Sequence, residues 1–157
     1  MPIHEIRDGD IFAAPVECLV NPVNTIGVMG KGLAAEFKSR FGHAYFAHYR
    51  AACHDKTLAI GKVIYFDAAL LDSTVERRVS IVDFPTKRHW SDRSSVTDVR
   101  AGLISLVCVV LTRKLKSIAV PALGCGLGGL DWETEVRPLC HDAFESLPGV
   151  DVYFYIK

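Results

Sequence analysis

Long apolar runs, net charge and paired cysteines are all missing from this sequence, and each absence removes a class of protein. No stretch approaches the roughly 18 consecutive apolar residues that cross a bilayer, and the opening MPIHEIRDGD lacks the basic-then-apolar order of a secretory leader. A cytoplasmic, non-membrane protein is expected. Lys plus Arg and Asp plus Glu stand at 18 each, so no global positive field holds nucleic acid through counterion release, and any such contact has to be local. The five cysteines (Cys18, Cys53, Cys108, Cys125, Cys140) are odd in number, scattered and without a C-x-x-C pair, which argues against a disulfide framework and a zinc site. His43 with His48, and Cys53 with His54, lack metal-ligand spacing with further ligands nearby. Neither a metal nor a cofactor is expected.

What is present fits one domain spanning 1–157. Half the residues are apolar, 23% are charged and mean hydropathy is +0.21, which places the chain among compact globular proteins and sets disorder aside. Short segments rich in β-branched and aromatic residues predict strands at 3–6, 18–21, 62–66, 78–84, 117–121 and 150–156. Leu33, Phe37 and Phe41 predict a helix that stops at Gly42, and a second short helix covers 44–53. A third begins at Ser95, which pairs with Asp98 as a capping box, and runs to Leu111; a last one, with Pro138 in its first turn, reaches about Leu147. This alternation predicts an α/β/α layered domain around a mixed sheet, with ligands at the carboxyl ends of its strands.

Two glycine loops follow strands. Asn21-Pro22-Val23-Asn24-Thr25-Ile26-Gly27-Val28-Met29-Gly30-Lys31-Gly32 leads into a helix, so its amides and the helix N-terminus can receive an anion. The spacing is not that of a Walker A loop. Pro121-Ala122-Leu123-Gly124-Cys125-Gly126-Leu127-Gly128-Gly129 satisfies G-x-G-x-x-G, yet only 28 residues follow, too few for the rest of a dinucleotide-binding fold. Either loop alone reads equally as tight-turn glycine; together they form a two-sided clamp suited to a diphosphate. Asn24 is placed to set its amide against a sugar hydroxyl, whereas Asn21 reads as a residue satisfying loop backbone. Gly9-Asp10-Ile11 is either an ordinary Asp turn or a carboxylate for an adenine amino group. Tyr153 and Tyr155 share one strand parity and Val152 and Phe154 the other, so one pair faces away from the core.

Gly-Asp-Ile-Phe (9–12), Asn-Pro-Val-Asn-Thr (21–25) with Gly-Val-Met-Gly-Lys-Gly (27–32), and Pro-Ala-Leu-Gly-Cys-Gly-Leu (121–127) together resemble the macrodomain, an ADP-ribose-binding α/β/α fold, over essentially the whole chain. Gly27 to Gly32, Phe84-Pro85-Thr86-Lys87-Arg88-His89-Trp90 and Gly124 to Trp132 resemble its DarG antitoxin branch, related to the human terminal ADP-ribose protein glycohydrolase. The resemblance implies adenine recognition by Asp10 and the Ile11 amide, the distal ribose at Asn24, and packing of Tyr155 on adenine. It implies a diphosphate held by the backbones of the first loop (Gly27, Val28, Met29, Gly30, Lys31, Gly32) and the second (Gly124, Cys125, Gly126, Leu127, Gly128), with Asn21, Thr25, Pro121 and Leu123 among the other ADP-ribose-binding residues. It further implies removal of ADP-ribose from thymidine in single-stranded DNA, opposite a DarT-like toxin, with Lys87 and Asn24 in the catalytic set. Gly128 stands where the human relative carries an assisting aspartate.

A lysine attacks the anomeric carbon only as the free amine, and burial with the neighbouring Arg88 would each favour that form. Read from residues alone, Lys87 and Arg88 are a solvated basic turn before they are a catalytic pair. Arg88, His89, Trp90 and Arg93 combine a stacking surface with charge, which suits single-stranded nucleic acid, although a lone Trp also serves packing. ADP-ribose hydrolysis from acidic protein side chains and ADP-ribose binding without turnover are the competing readings.

Overall fold

The computed structural model describes residues 3–157; Met1 and Pro2, part of the expected 1–157 domain, lie outside the described residues. Six strands, β1 (Ile3–Arg7), β2 (Cys18–Asn24), β3 (Ile64–Phe66), β4 (Ser80–Lys87), β5 (Ser117–Pro121) and β6 (Asp151–Ile156), form one sheet in the order β1-β6-β5-β2-β4-β3. Only β3 runs antiparallel, against β4, so the sheet is mixed as expected. Helix α1 (Gly32–Asp55) covers one face; α2 (Val96–Thr112) and α3 (Arg137–Glu145) cover the other.

The alternation of side chains along the strands divides the core in two. Val20, Val82, Ile118, Val120, Val152 and Phe154 pack under α2 and α3, while Leu19, Val23, Ile81 and Ala119 pack under α1. Tyr153 and Tyr155 are the half-buried pair of β6, on the α1 side.

The helix boundaries depart from the sequence expectation in two places. Gly42 does not end a helix: it takes φ 84°, ψ −165° and kinks a single element, so the two expected segments are the arms of α1. The kink preserves the stripe Phe37, Phe41, Tyr45, Tyr49, all buried at four-residue intervals. The last helix opens with a π-helical turn, Trp132–Val136, before α3 begins at Arg137 with Pro138 in its first turn. No helix among the described residues is long and apolar enough to cross a membrane.

The sheet sets the position of the site. From β2 the chain moves outward to β4 and then crosses back through α2 to β5 on the other side of β2, which makes the gap between β2 and β5 the topological switch point. The β2–β5 ladder pairs only Cys18 with Ile118 and Leu19 with Ala119. Pro22 in β2 and Pro121 in β5 carry no N–H to donate across the gap, and the strand ends part there.

Beneath the opening lies a buried polar network that sequence reasoning missed. Asn21 and Asp83 are paired neighbours on β2 and β4; Asn21 Nδ2 donates to the Tyr45 hydroxyl at 2.7 Å, and that hydroxyl donates to Asp83 Oδ1. Asn21 Oδ1 and Asp83 Oδ2 have no partner, although both residues are fully buried. Burial pushes the Asp83 carboxyl up to about 7, against the lowering effect of Tyr45 and then Asn21. Protonation removes the buried charge and turns Asp83 into an O–H donor within this network.

Candidate functional site

A cleft of about 1080 Å³ opens at the carboxyl edge of the parallel strands, large enough for a dinucleotide-sized ligand. Residues following β1 (Asp10, Ile11), β2 (Asn24, Val28, Gly30 to Gly32), β4 (Trp90), β5 (Ala122, Gly124 to Gly128) and the end of β6 (Tyr155) all line it. Asp10, Ile11, Asn24, Val28, Gly30, Lys31, Gly32, Lys87, Trp90, Pro121, Gly124, Cys125, Gly126, Leu127, Gly128 and Tyr155 are therefore brought together. Other expected ligand residues are not on its wall. Asn21 is fully buried in the Tyr45 network, Met29 and Leu123 are core side chains, Thr25 faces Arg88, and Gly27 lies beside Arg50 on the outer side of its loop.

The first loop is built by side chains. Asn24 Oδ1 accepts from the Ile26 amide at 3.1 Å, Asn24 Nδ2 donates to Val28 O at 2.8 Å, and the Tyr49 hydroxyl donates to Asn24 Oδ1 at 2.8 Å. Burial first, then Cys53, pushes the Tyr49 phenol well above its ordinary range, so it remains a donor. The Asn24 amide, expected on a sugar hydroxyl, donates one Nδ2 hydrogen to Val28 O in shaping the loop and keeps its second, beside the cleft. Lys31 precedes α1 in extended conformation and makes no side-chain cap, which leaves the first helical amides to the cleft. Uncapped amides at the positive end of a helix form an anion site.

The second loop is built by backbone. Cys125 N donates to Ala122 O at 3.1 Å and Leu130 N to Gly124 O at 2.9 Å, with Gly124 at φ 75°, a conformation that favours glycine. Gly128 is buried: a Cβ there would stand 2.3 Å from Ser94 Oγ and 2.5 Å from Gly124 O. An aspartate at 128 has no room without a shift of backbone. Burial, then Asp131 and Glu135, pushes the Cys125 thiol up to about 11, which keeps this cleft cysteine protonated and unreactive. Leu127, 69% exposed, reaches to 3.6 Å from where a Cβ of Gly32 would be, so the two loops meet over the cleft.

At the β1 end, Asp10 Oδ1 accepts from the Phe12 amide at 2.9 Å, which leaves its second oxygen for another donor. Tyr155 lies against Gly9, whose missing side chain makes room for the ring. Burial, then Tyr153, raises its phenol pKa. Trp132 and Glu133, which the sequence reading did not single out, also line this end. Glu5 fixes the indole by accepting from Trp132 Nε1 at 3.2 Å while pairing with Arg137 at 2.9 Å. The Arg137 hydrogen bond, more than the Trp132 one, holds the Glu5 carboxyl below its ordinary range despite burial. Among the described residues no group of three or more His, Cys, Asp or Glu stands together as a metal site.

Lys87 owes its position to a β-bulge. Val23 pairs with Pro85 but Asn24 with Lys87, so Thr86 is the extra residue on β4. A bulge re-aims side chains beside a site; here both Thr86 and Lys87 meet the cleft. Arg88, expected to act on Lys87, is 69% exposed and 3.5 Å from Asp98 at the start of α2. His89 and Arg93 are not on the cleft wall: the His89 ring packs 5.0 Å from Trp90, and Arg93 lies against Gly129.

The family model for the macro domain matches residues 20–138. The macrodomain of Mycobacterium tuberculosis DarG has a TM-score of 0.88 and 41% identity, covering 98% of this chain and 96% of that one. The chain belongs to the macrodomain family. Within it, this macrodomain falls in the DarG branch. A DNA ADP-ribosyl glycohydrolase of Mycobacterium tuberculosis is 44% identical over 147 residues, 94% of this chain and 40% of that protein. The structure of Thermosipho africanus DarTG in complex with ADP-ribose has a TM-score of 0.84 and 35% identity, covering 98% of this chain and 42% of that one. This macrodomain thus spans about two-fifths of the length of these relatives.

Proposed function

We propose that this macrodomain is a glycohydrolase that removes ADP-ribose from thymidine in single-stranded DNA, reversing a DarT-like ADP-ribosyltransferase toxin. The observation that carries the reading is the Lys87 side chain, turned by the β4 bulge into a cleft bounded by two glycine loops. The name of the Mycobacterium tuberculosis relative and the ligand of the Thermosipho africanus structure support it. ADP-ribose is the ligand, and no cofactor is required.

In this reading the diphosphate lies between the α1 N-terminus and the amides of Gly124 to Gly128, adenine rests near Asp10 and Tyr155, and the distal ribose reaches Lys87. Cleavage develops oxocarbenium-like charge on that ribose. The Lys87 Nζ lone pair forms a bond to the anomeric carbon while the bond to the base breaks; the base leaves with the electron pair and takes up a proton. Water then attacks the same carbon, loses a proton and returns the amine. Position 128 has no room for an assisting carboxylate, so Lys87 acts without one from that loop. Trp90, 52% exposed at the rim and backed by His89, offers a stacking face that suits a nucleobase better than an acidic side chain.

The test incubates the protein with an oligonucleotide ADP-ribosylated on thymidine and, in parallel, with a glutamate-ADP-ribosylated protein. Release from the oligonucleotide alone is expected. Release from the protein substrate alone moves the assignment to acidic side chains, and binding without release from either makes the domain a reader. Lys87→Ala is expected to lose at least about 100-fold in turnover with ADP-ribose affinity retained; unchanged turnover removes Lys87 from the mechanism.

A further inference from the structure

Behind the first loop, separated from the main cleft by the ends of β2 and β4, lies a second cleft of about 320 Å³. The wall between them is one residue thick in sequence: Asn24 and Lys87 line the main cleft, while their successors Thr25 and Arg88 line the second. Thr25 N donates to Arg88 O at 3.1 Å, which ties the wall together. Consecutive Cα atoms lie about 3.8 Å apart, so the second cleft begins next to Lys87.

Its charge is one-sided. Lys56, in left-handed conformation just past α1, and Arg88 face the same small space, with Cys53 and Leu58 behind them. Lys62 Nζ donates to Lys56 O at 3.3 Å, and Arg50 runs along the outer side of the loop, its Cγ 3.7 Å from the Cβ that Gly27 lacks. The nearest carboxylates lie outside the lining: Asp55 accepts from Thr57 N and Oγ1 at 3.0 and 2.7 Å, and Asp98 pairs with Arg88 at 3.5 Å and offsets part of its charge. Lys56 forms no ion pair among the described residues. Cations converging on one cavity repel one another, and an anion between them reverses that cost. In a chain with no net charge, this is a local cationic lining one residue along the chain from Lys87.

We propose that this second cleft seats a backbone phosphate of the DNA strand adjoining the ADP-ribosylated nucleotide, with Lys56 and Arg88 as its contacts. The inference rests on the DNA reading above: the modified base enters from the Trp90 side of Lys87, and the strand continues over the Thr25–Arg88 wall. The second cleft then distinguishes a nucleotide within a strand from an isolated nucleoside.

The experiment compares two substrates, ADP-ribosylated thymidine nucleoside and an oligonucleotide carrying the same modification, with wild type, Lys56→Gln and Lys56→Glu. Lys56→Gln is expected to raise KM for the oligonucleotide on the order of 3- to 10-fold at unchanged kcat, Lys56→Glu more, and neither to alter turnover of the nucleoside. The plot of log KM against log salt should become shallower by about 0.7 in Lys56→Gln, the share of one single-strand phosphate. An active wild type with unchanged oligonucleotide KM in both variants, or an equal loss on the nucleoside, overturns this site alone. A wild type that releases nothing from the oligonucleotide overturns the DNA reading and this site with it.

Discussion

The two glycine loops face one cleft but are held by opposite means. The first hangs on side chains, with the Asn24 amide and Tyr49 hydroxyl supplying its internal bonds and the Asn21, Tyr45 and Asp83 network lying beneath. The second hangs on backbone bonds and on the lack of a side chain at Gly128. The first loop should therefore tolerate changes at its surface and fail when a helix tyrosine is altered. The second should fail when an atom is added at Gly124 or Gly128, while Gly126 has open space around it.

Adding those atoms gives the largest expected effect. Gly128→Asp forces overlap with Ser94 Oγ and Gly124 O, and a cost of about 3 kcal/mol is expected in urea unfolding, with at least tenfold weaker ADP-ribose binding by calorimetry. Ser94→Gly removes one of the two overlaps and should recover part of both losses; full stability in Gly128→Asp alone would mean the loop is not packed as described.

Asp83→Asn tests the support of the first loop. The unfolded chain releases this proton near 3.8 and the folded chain near 7, so between those values the unfolded state binds fewer protons and stability falls as pH rises, levelling off above 7. The contribution is roughly 4 kcal/mol at most. The amide of Asn supplies the donor permanently. The variant should match wild type below pH 4, exceed it by about 2–4 kcal/mol at pH 8, and lose this part of the pH dependence in denaturant titrations. Destabilisation at pH 8 would show that the ionised carboxylate is held better than an amide, contrary to a raised pKa.

Tyr49→Phe should cost about 1–2 kcal/mol by thermal or urea unfolding and weaken ADP-ribose binding by loosening Asn24, because Asn24 O and Oδ1 each lose the Tyr49 donor, Oδ1 keeping the Ile26 amide. A loss confined to stability would separate the fold of the first loop from its role at the ligand. Leu127→Ala sits at the small end. Its exposed side chain predicts a stability change within about 0.5 kcal/mol, so any drop in ADP-ribose affinity reads the closure of the second loop over the first.

The contrast between the loops also explains what was legible in the sequence. Layering, the mixed sheet and both loops were readable because strand propensity and glycine spacing are local signals, whereas Lys87 was singled out only by the family resemblance. The face of Leu33, Phe37 and Phe41 was readable, but its continuation through Tyr45 and Tyr49 past Gly42 was not, and their two hydroxyls act on Asp83 and Asn24, which no local pattern carries. Met29 and Leu123 sit inside glycine-rich motifs yet point into the core, since motif membership does not fix side-chain direction. The bulge that aims Lys87 depends on the register between β4 and β2, a non-local property.

The most direct measurement of the central claim is an amide NMR titration of the protein with ADP-ribose. One diphosphate held between the loops predicts that the amides of Gly30 to Leu33 and of Gly124 to Gly128 shift together along a single saturation curve, at one ligand per chain. Shifts confined to one loop, or separate curves for the two, would contradict it.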